Sequence, residues 1–250
     1  MKTAKITYLL IFISAFYSSA QEIKNDTIVE KGTFSIGKKI NNEKEGLWKI
    51  YFGYSKNNLI LYQEGSYKSD EKTGKWTTYK ENKVLKIENF KNDELNGEEI
   101  YYYENGKTQS KGSYLNDEPD GEHISYYKSG KVKSIANYSE GTENGQFLDF
   151  FENGKIEFSG NFINGVEEGE FEHFNKDGKI LNKGSFKKGE KIGIWTETEE
   201  KKGGLGIPET IRVNTKNYST NEENIKIYDK LTGKLVRTEY YKDSKLLKSN

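Results

Sequence analysis

A glycine recurs along this chain at a nearly fixed interval. Gly74, Gly97, Gly121, Gly145, Gly169 and Gly193 stand 23, 24, 24, 24 and 24 residues apart. Seven residues ahead of each is an aromatic residue: Tyr67, Phe90, Tyr114, Tyr138, Phe162 and Phe186. Two independent columns that hold one period define a repeat array, in which one supersecondary unit stacks on the next. Gly46 precedes the set by 28 residues, so the first unit carries an insertion.

The interior of the unit predicts its shape. Five residues after the opening glycine comes a ring: Tyr51, Tyr79, Tyr102, Tyr126, Phe150 or Phe174. Four residues later a glycine closes Glu104-Asn105-Gly106, Lys128-Ser129-Gly130, Glu152-Asn153-Gly154 and Lys176-Asp177-Gly178. Such turns between β-prone runs signal hairpins, because Gly, Asn and Asp accept positive φ. Glu81-Asn82-Lys83 lacks the glycine, which accounts for the one 23-residue spacing. A second turn, at Asp70, Asp93, Asp117, Gly141, Gly165 and Gly189, joins each hairpin to the next. The expected fold is all-β: an elongated antiparallel meander of tandem β-hairpins over residues 46–195.

Alternation along a strand puts the +5 ring on one face with Ile100, Ile124 and Leu148 at +3. Folding each hairpin about its turn pairs that ring with Val84, Thr108, Val132, Ile156 or Ile180. A small-residue column, Gly112, Ala136, Gly160 and Gly184, precedes the second aromatic column by two. These glycines and the rings Tyr79, Tyr102, Tyr126, Phe150 and Phe174 are the expected structural residues of the repeat.

Outside the array the pattern fades. Residues 1–20 read as a cleavable signal peptide: Lys2 and Lys5, an apolar run from Ile6 to Tyr17, and small residues Ser18-Ser19-Ala20. That run is well short of the ~20 residues a membrane-spanning helix needs. The expected location is therefore secreted, periplasmic or cell-surface, with no transmembrane segment after cleavage. Residues 21–45 read as a lead-in strand. Residues 196–223, with Gly203-Gly204 and Pro208, read as a loop or irregular insertion. Residues 224–250 read as a degenerate terminal repeat or cap.

Composition fits this reading. Hydrophobic residues are only 33%, yet aromatics reach 14%, which favours a thin sheet covered by rings over a thick aliphatic core. Without residues 1–20 the chain holds 37 basic and 39 acidic residues, a balance that does not draw nucleic acid. It has no cysteine, so cohesion must come from strand pairing and ring packing.

Gly160-Asn161-Phe162-Ile163-Asn164-Gly165 followed by Gly169-Glu170-Phe171 resembles a MORN repeat, as does Gly184-Ser185-Phe186 through Gly193-Ile194-Trp195. The spacing and the Glu-Asn-Gly-Lys turns are similar to the MORN-variant, YwqK-type toxin–antitoxin system antitoxin family of bacteria. Asp70, Asp93 and Asp117 stand where that pattern usually has glycine. The resemblance implies β-hairpin arrays that act as interaction or membrane-associated modules without enzymatic activity. The antitoxin label implies a cytoplasmic partner, which the expected signal peptide opposes.

Two surfaces are candidates for partner binding. The first is the +2 column, Trp48, Trp76, His123, Phe147, Phe171 and Trp195, with Glu99 in one slot. It is either a stripe that docks a partner or sugar ring, or a face covered as the sheet twists and curls. The second is a basic edge of lysines after the hairpin turns, Lys83, Lys107, Lys131, Lys155 and Lys179, at ~10 Å intervals. It suits an anionic envelope surface or an acidic partner, or it is a row of solvated turn lysines.

Catalytic, metal and cofactor sites are not expected. The only histidines, His123 and His173, fall four strands apart, ~19 Å, so they share no metal. The acidic run Asn116 to Glu122 lacks the spacing of an EF-hand loop. The expected function is an exported non-catalytic module that binds a protein partner or an envelope surface. The alternatives are an antitoxin or immunity-type inhibitor and, remotely, an envelope-polymer hydrolase.

Overall fold

A computed structural model describes residues 23–30, 32–53, 59–201, 210–230, 232–242 and 245–250. The expected signal peptide, 1–20, lies outside them. Every pairing is antiparallel, and each strand bonds to its neighbours in sequence, so the chain is an open meander of consecutive hairpins.

The +5 rings pair across the hairpin as the repeat predicts: Tyr102 with Thr108, Tyr126 with Val132, Phe150 with Ile156, Phe174 with Ile180. The register shifts by one residue at each ring. At the tip Gly106 N–H donates to Tyr103 O at 2.9 Å, with Gly106 at φ +80°. This is a turn followed by a left-handed glycine bulge, and it recurs at Gly130, Gly154 and Gly178. Glu81 and Asn82 instead form a two-residue turn with both φ positive, +51° and +62°.

The opening glycines are kinks. Gly97, Gly121, Gly145 and Gly169 each begin a strand after a one-residue break, with φ between +85° and +119°. Gly46, Gly74 and Gly193 lie inside the longer strands Glu43–Phe52, Glu71–Lys80 and Glu190–Lys201, also with positive φ. In both settings the strand bends where its next ring must cross the preceding strand.

Two terminal expectations are corrected. Residues 21–45 are not one lead-in strand: Ile23–Glu30 and Thr33–Ile40 form a hairpin, and a third strand begins at Glu43. Residues 196–201 and 210–217 are strand and not a loop or irregular insertion. The strand Glu190–Lys201 pairs along its outer half with Thr210–Asn217, from Ile194↔Asn217 to Lys201↔Thr210. Thr and β-branched residues on both strands sustain the pairing after the repeat's glycine and ring landmarks have gone. Residues 202–209, with Gly203-Gly204 and Pro208, lie outside the described residues. The terminal segment consists of the strands Glu222–Asp229, Leu235–Lys242 and Lys245–Ser249.

Candidate functional site

The two faces of the sheet divide the work. On one, the +2 rings Trp48, Trp76, His123, Phe171 and Trp195 each lie over the glycine eleven positions earlier, on the preceding strand. A Cβ at Gly37, Gly65 or Gly184 would fall 2.3, 2.2 or 2.1 Å from the ring of Trp48, Trp76 or Trp195. Gly112 stands likewise under His123 at 2.2 Å, and Gly160 under Phe171 at 2.5 Å. Only glycine lets a ring approach the backbone so closely. The +2 rings alternate edge-to-face with the second aromatic column. The series Phe162, Phe171, Phe186 and Trp195 has centroids 5.7, 4.8 and 4.8 Å apart.

This ladder is the core. Trp48 and Trp76 are fully buried, and Phe171 and Trp195 are 5% and 8% exposed. Each indole N–H donates to a carbonyl ten residues back: Trp48 to Lys38, Trp76 to Ser66, Trp195 to Ser185, at 3.1–3.2 Å. His123 Nε2 meets Ser113 O in the same geometry at 2.9 Å, and its ring sits between Tyr114 and Tyr138. A lysine four residues before each tryptophan lies over its ring: Lys44 at 5.5 Å, Lys72 at 4.5 Å, Lys191 at 4.3 Å. Burial pushes the Lys72 ammonium below its ordinary range, against the pull of Glu88 and Asp93.

The +2 column is therefore no free docking stripe. Its rings close the array because the preceding small residues leave room for them. Phe147 and His123 remain half-buried, wedged among neighbouring rings. The ladder breaks at Glu99, where a charged cluster replaces it: Lys86 bridges Glu88 at 2.7 Å and Glu99 at 3.8 Å.

Beside the ladder, on the same face, runs a polar row. Cross-strand register carries it from Gln63 through Thr78, Lys86, Tyr101, Ser110, Ser125 and Ser134 to Asp149. It continues through Phe158, His173, Asn182 and Glu197 to Asn214. Burial raises the Asp149 carboxyl above the ordinary carboxylate range, and Glu157 adds to the shift. Two grooves of about 450 Å³ each open along the last part of this row, and both are lined by His173 and Asn182.

The opposite face carries the +5 rings and, in cross-strand register, aliphatic residues interrupted by Lys111: Ile87 with Ile100, then Lys111, then Ile124 with Ile135 and Ile135 with Leu148. The aliphatic residues, with Tyr102, Tyr126 and Phe150, are half-buried. For the +2 column the structure thus takes the second of its two expected readings, a covered face. The +2 rings hold the repeat together, and the +5 rings remain within reach of solvent.

Both edges are locked from repeat to repeat. Lys83, Lys107, Lys131 and Lys155 donate their amines to the carbonyls of Glu104, Ser129, Glu152 and Asp177 in the next hairpin turn. Tyr103 and Tyr127 hydroxyls donate to Tyr126 O and Phe150 O, both at 2.6 Å. The lysines form the expected row, but four of them stitch neighbouring turns. On the other edge Asp70, Asp93 and Asp117 hold φ of +66° to +67°. Their carboxylates accept the N–H of Lys44, Lys72 and Leu95 at 2.6–2.8 Å. This edge is in part a set of interlocking turns.

His173 stands across from Phe158 and Asn182, far along the sheet from His123. Among the described residues no group of three or more His, Cys, Asp or Glu side chains could hold a metal ion. No helix among them is long and apolar enough to cross a membrane.

No curated protein matches the chain. Residues 95–116, 119–140, 143–164 and 167–188 each match the MORN repeat variant. These stretches coincide with the four hairpins whose strands break before the opening glycine. The centre of the chain is a tandem array of four repeats similar to that variant.

Proposed function

We propose that the chain is an exported, non-catalytic binding module, and that a protein partner or an envelope surface docks on the face opposite the aromatic ladder. The observation that carries this reading is the row Ile87, Ile100, Lys111, Ile124, Ile135 and Leu148, aliphatic at every position but Lys111. Its aliphatic members are half-buried on a sheet whose ring packing lies on the other side. The run Ile124, Ile135 and Leu148, and the pair Ile87 and Ile100 beyond Lys111, gain free energy when covered. The signal-like residues 1–20 support export, and the matched repeats support a binding role over catalysis.

The test is affinity capture with the chain lacking residues 1–20 from the envelope fraction of its own cell. Enrichment of one binder or of envelope material, lost when Ile124 and Leu148 are both replaced by lysine, is the expected result. Binding that fades with salt assigns an anionic surface, and a single co-purifying protein in equal amount assigns an inhibitor-type complex. Capture that is absent, or unchanged in the double variant, overturns the reading.

A further inference from the structure

The three tryptophan units of the ladder carry a cation of their own, and the unit of Phe171 leaves the same place open. Four residues before the +2 ring, Lys72 stands across from Tyr67 and Lys191 across from Phe186. Lys44 holds the same step before Trp48. Each lysine covers its own indole and also the next aromatic ring. Lys44 lies 4.6 Å from Tyr67, Lys72 4.8 Å from Phe90 and Lys191 5.5 Å from Tyr218. In the unit of Phe171 this position is Glu167, across from Phe162. The ring pair is there, Phe171 and Phe186 edge-to-face at 4.8 Å, but the residue beside it is a carboxylate. Glu143 takes the position in the unit of Phe147, where the Tyr138 hydroxyl donates to it at 3.3 Å.

The open place is a groove of about 450 Å³, lined by Glu167, Phe162, Phe171 and Phe186 and bounded by Trp195. Asp149, Glu157 and Glu172 also line it, and Lys191 is the one cation in that lining. Its ammonium is already engaged over Trp195, at 4.3 Å. The adjoining groove of similar volume, with Glu197 and Glu199 against Arg212, extends the acid surplus along the sheet.

Ring faces attract an ammonium, and carboxylates around the same groove hold its charge. The acid surplus disfavours phosphate and sulfate groups, and a neutral ligand would leave it unanswered. Lys44, Lys72 and Lys191 show that a primary ammonium on a four-carbon stem fits this geometry. Burial pushes the Lys72 ammonium down in the equivalent place, with Glu88 and Asp93 opposing. An incoming lysine meets the same cost, which Asp149, Glu157 and Glu167 offset. The strands that bear the groove are paired on both sides, so a partner's main chain adds no strand there and its side chains must make the contact.

We infer that the groove over Phe171 and Phe186 takes a lysine side chain from a basic segment of a partner protein, where the tryptophan units set a lysine of their own. It lies on the ladder face, away from the proposed docking row, and does not depend on that row.

The test is calorimetric titration of the chain lacking residues 1–20 with a glycine–lysine peptide, the same peptide acetylated on every lysine, free choline and phosphatidylcholine vesicles. The expected result is binding of the unmodified lysine peptide alone. Glu167→Lys supplies the ammonium from within, so it is expected to weaken peptide binding tenfold or more and to raise the thermal midpoint. Glu167→Gln is expected to weaken binding less, since it removes one carboxylate and leaves the groove open. No binding of the lysine peptide, equal binding of its acetylated form, or preference for choline or the vesicles overturns the assignment. Unchanged peptide binding or a lowered midpoint in Glu167→Lys overturns it as well, since the place then does not receive an ammonium.

Discussion

Gly184 and Trp195 are a lock and its bolt: a single methyl group on the glycine would fall 2.1 Å from the indole. The ring takes its place because the glycine has no side chain. Gly184→Ala is expected to cost about 1–3 kcal/mol, the usual cost of overpacking a filled site. Urea denaturation reads the loss. In Gly184→Ala/Trp195→Leu the smaller side chain relieves the clash, so the alanine costs less there than in the native background. Gly154→Ala is the control, since nothing lies within 4 Å of its Cβ position and only its φ of +88° opposes the substitution. Equal penalties for the Gly184 change with and without Trp195 would sink the interlock.

The turn edge makes a different test. Asp117 accepts Leu95 N–H at 2.6 Å through its carboxylate and donates its own N–H to Leu95 O at 3.0 Å. One repeat later Gly141 N–H reaches Pro119 O, and the proline has no N–H to return. A carboxylate at 141 has a partner only if residue 119 regains its amide hydrogen. Gly141→Asp alone is expected to destabilise the chain. Gly141→Asp in a Pro119→Leu background is expected to be about 1 kcal/mol better than the sum of the single changes. A double-mutant cycle by thermal unfolding measures the coupling, and a coupling near zero contradicts the exchange.

Alkaline pH probes the polar part of the sheet. The Tyr79 phenol, hydrogen-bonded to Glu64 at 2.6 Å, is pushed up to about 12, first by that bond and then by burial. Tyr114 is also pushed up to about 12, chiefly by burial and then by Glu99. Unfolded, both titrate near 10.0. Their contribution to stability is fully present below pH 10 and is lost as the pH rises through about 12. Lys72, whose folded value is lowered, works in the opposite sense and partly offsets the loss. Unfolding free energies measured between neutral pH and pH 12 should fall less steeply in Tyr79→Phe/Tyr114→Phe than in the native chain. Equal slopes would exclude this origin for the alkaline loss.

The period was legible because glycines and rings leave few alternatives: positive φ and close backbone approach are restrictive demands. The pairing of Tyr102 with Thr108 and Phe150 with Ile156 follows from the turn glycine alone. The burial of Trp76 and Trp195 was not legible from alternation, which says which residues share a face and not which face is covered. The missed signal was Glu-Lys-x-Gly-x-Trp, which occurs at Trp48, Trp76 and Trp195 and in no repeat that lacks tryptophan. A lysine lies over each of the three indoles, all of them deeply covered. The groove at Asn182 and Asn214 was illegible for a different reason. Asn214 belongs to a strand outside the period, and only cross-strand register brings it beside Glu197.

The stitches between turns have a consequence for how such a chain changes length. Lys107 to Ser129, Lys131 to Glu152 and Tyr103 to Tyr126 all reach one hairpin onward. Duplicating or excising one complete hairpin would present each neighbour with the groups it already grips. Adding a single residue within a strand would turn every later ring of that strand to the wrong side. The molecule can be edited by whole rungs, and hardly at all by fractions of one.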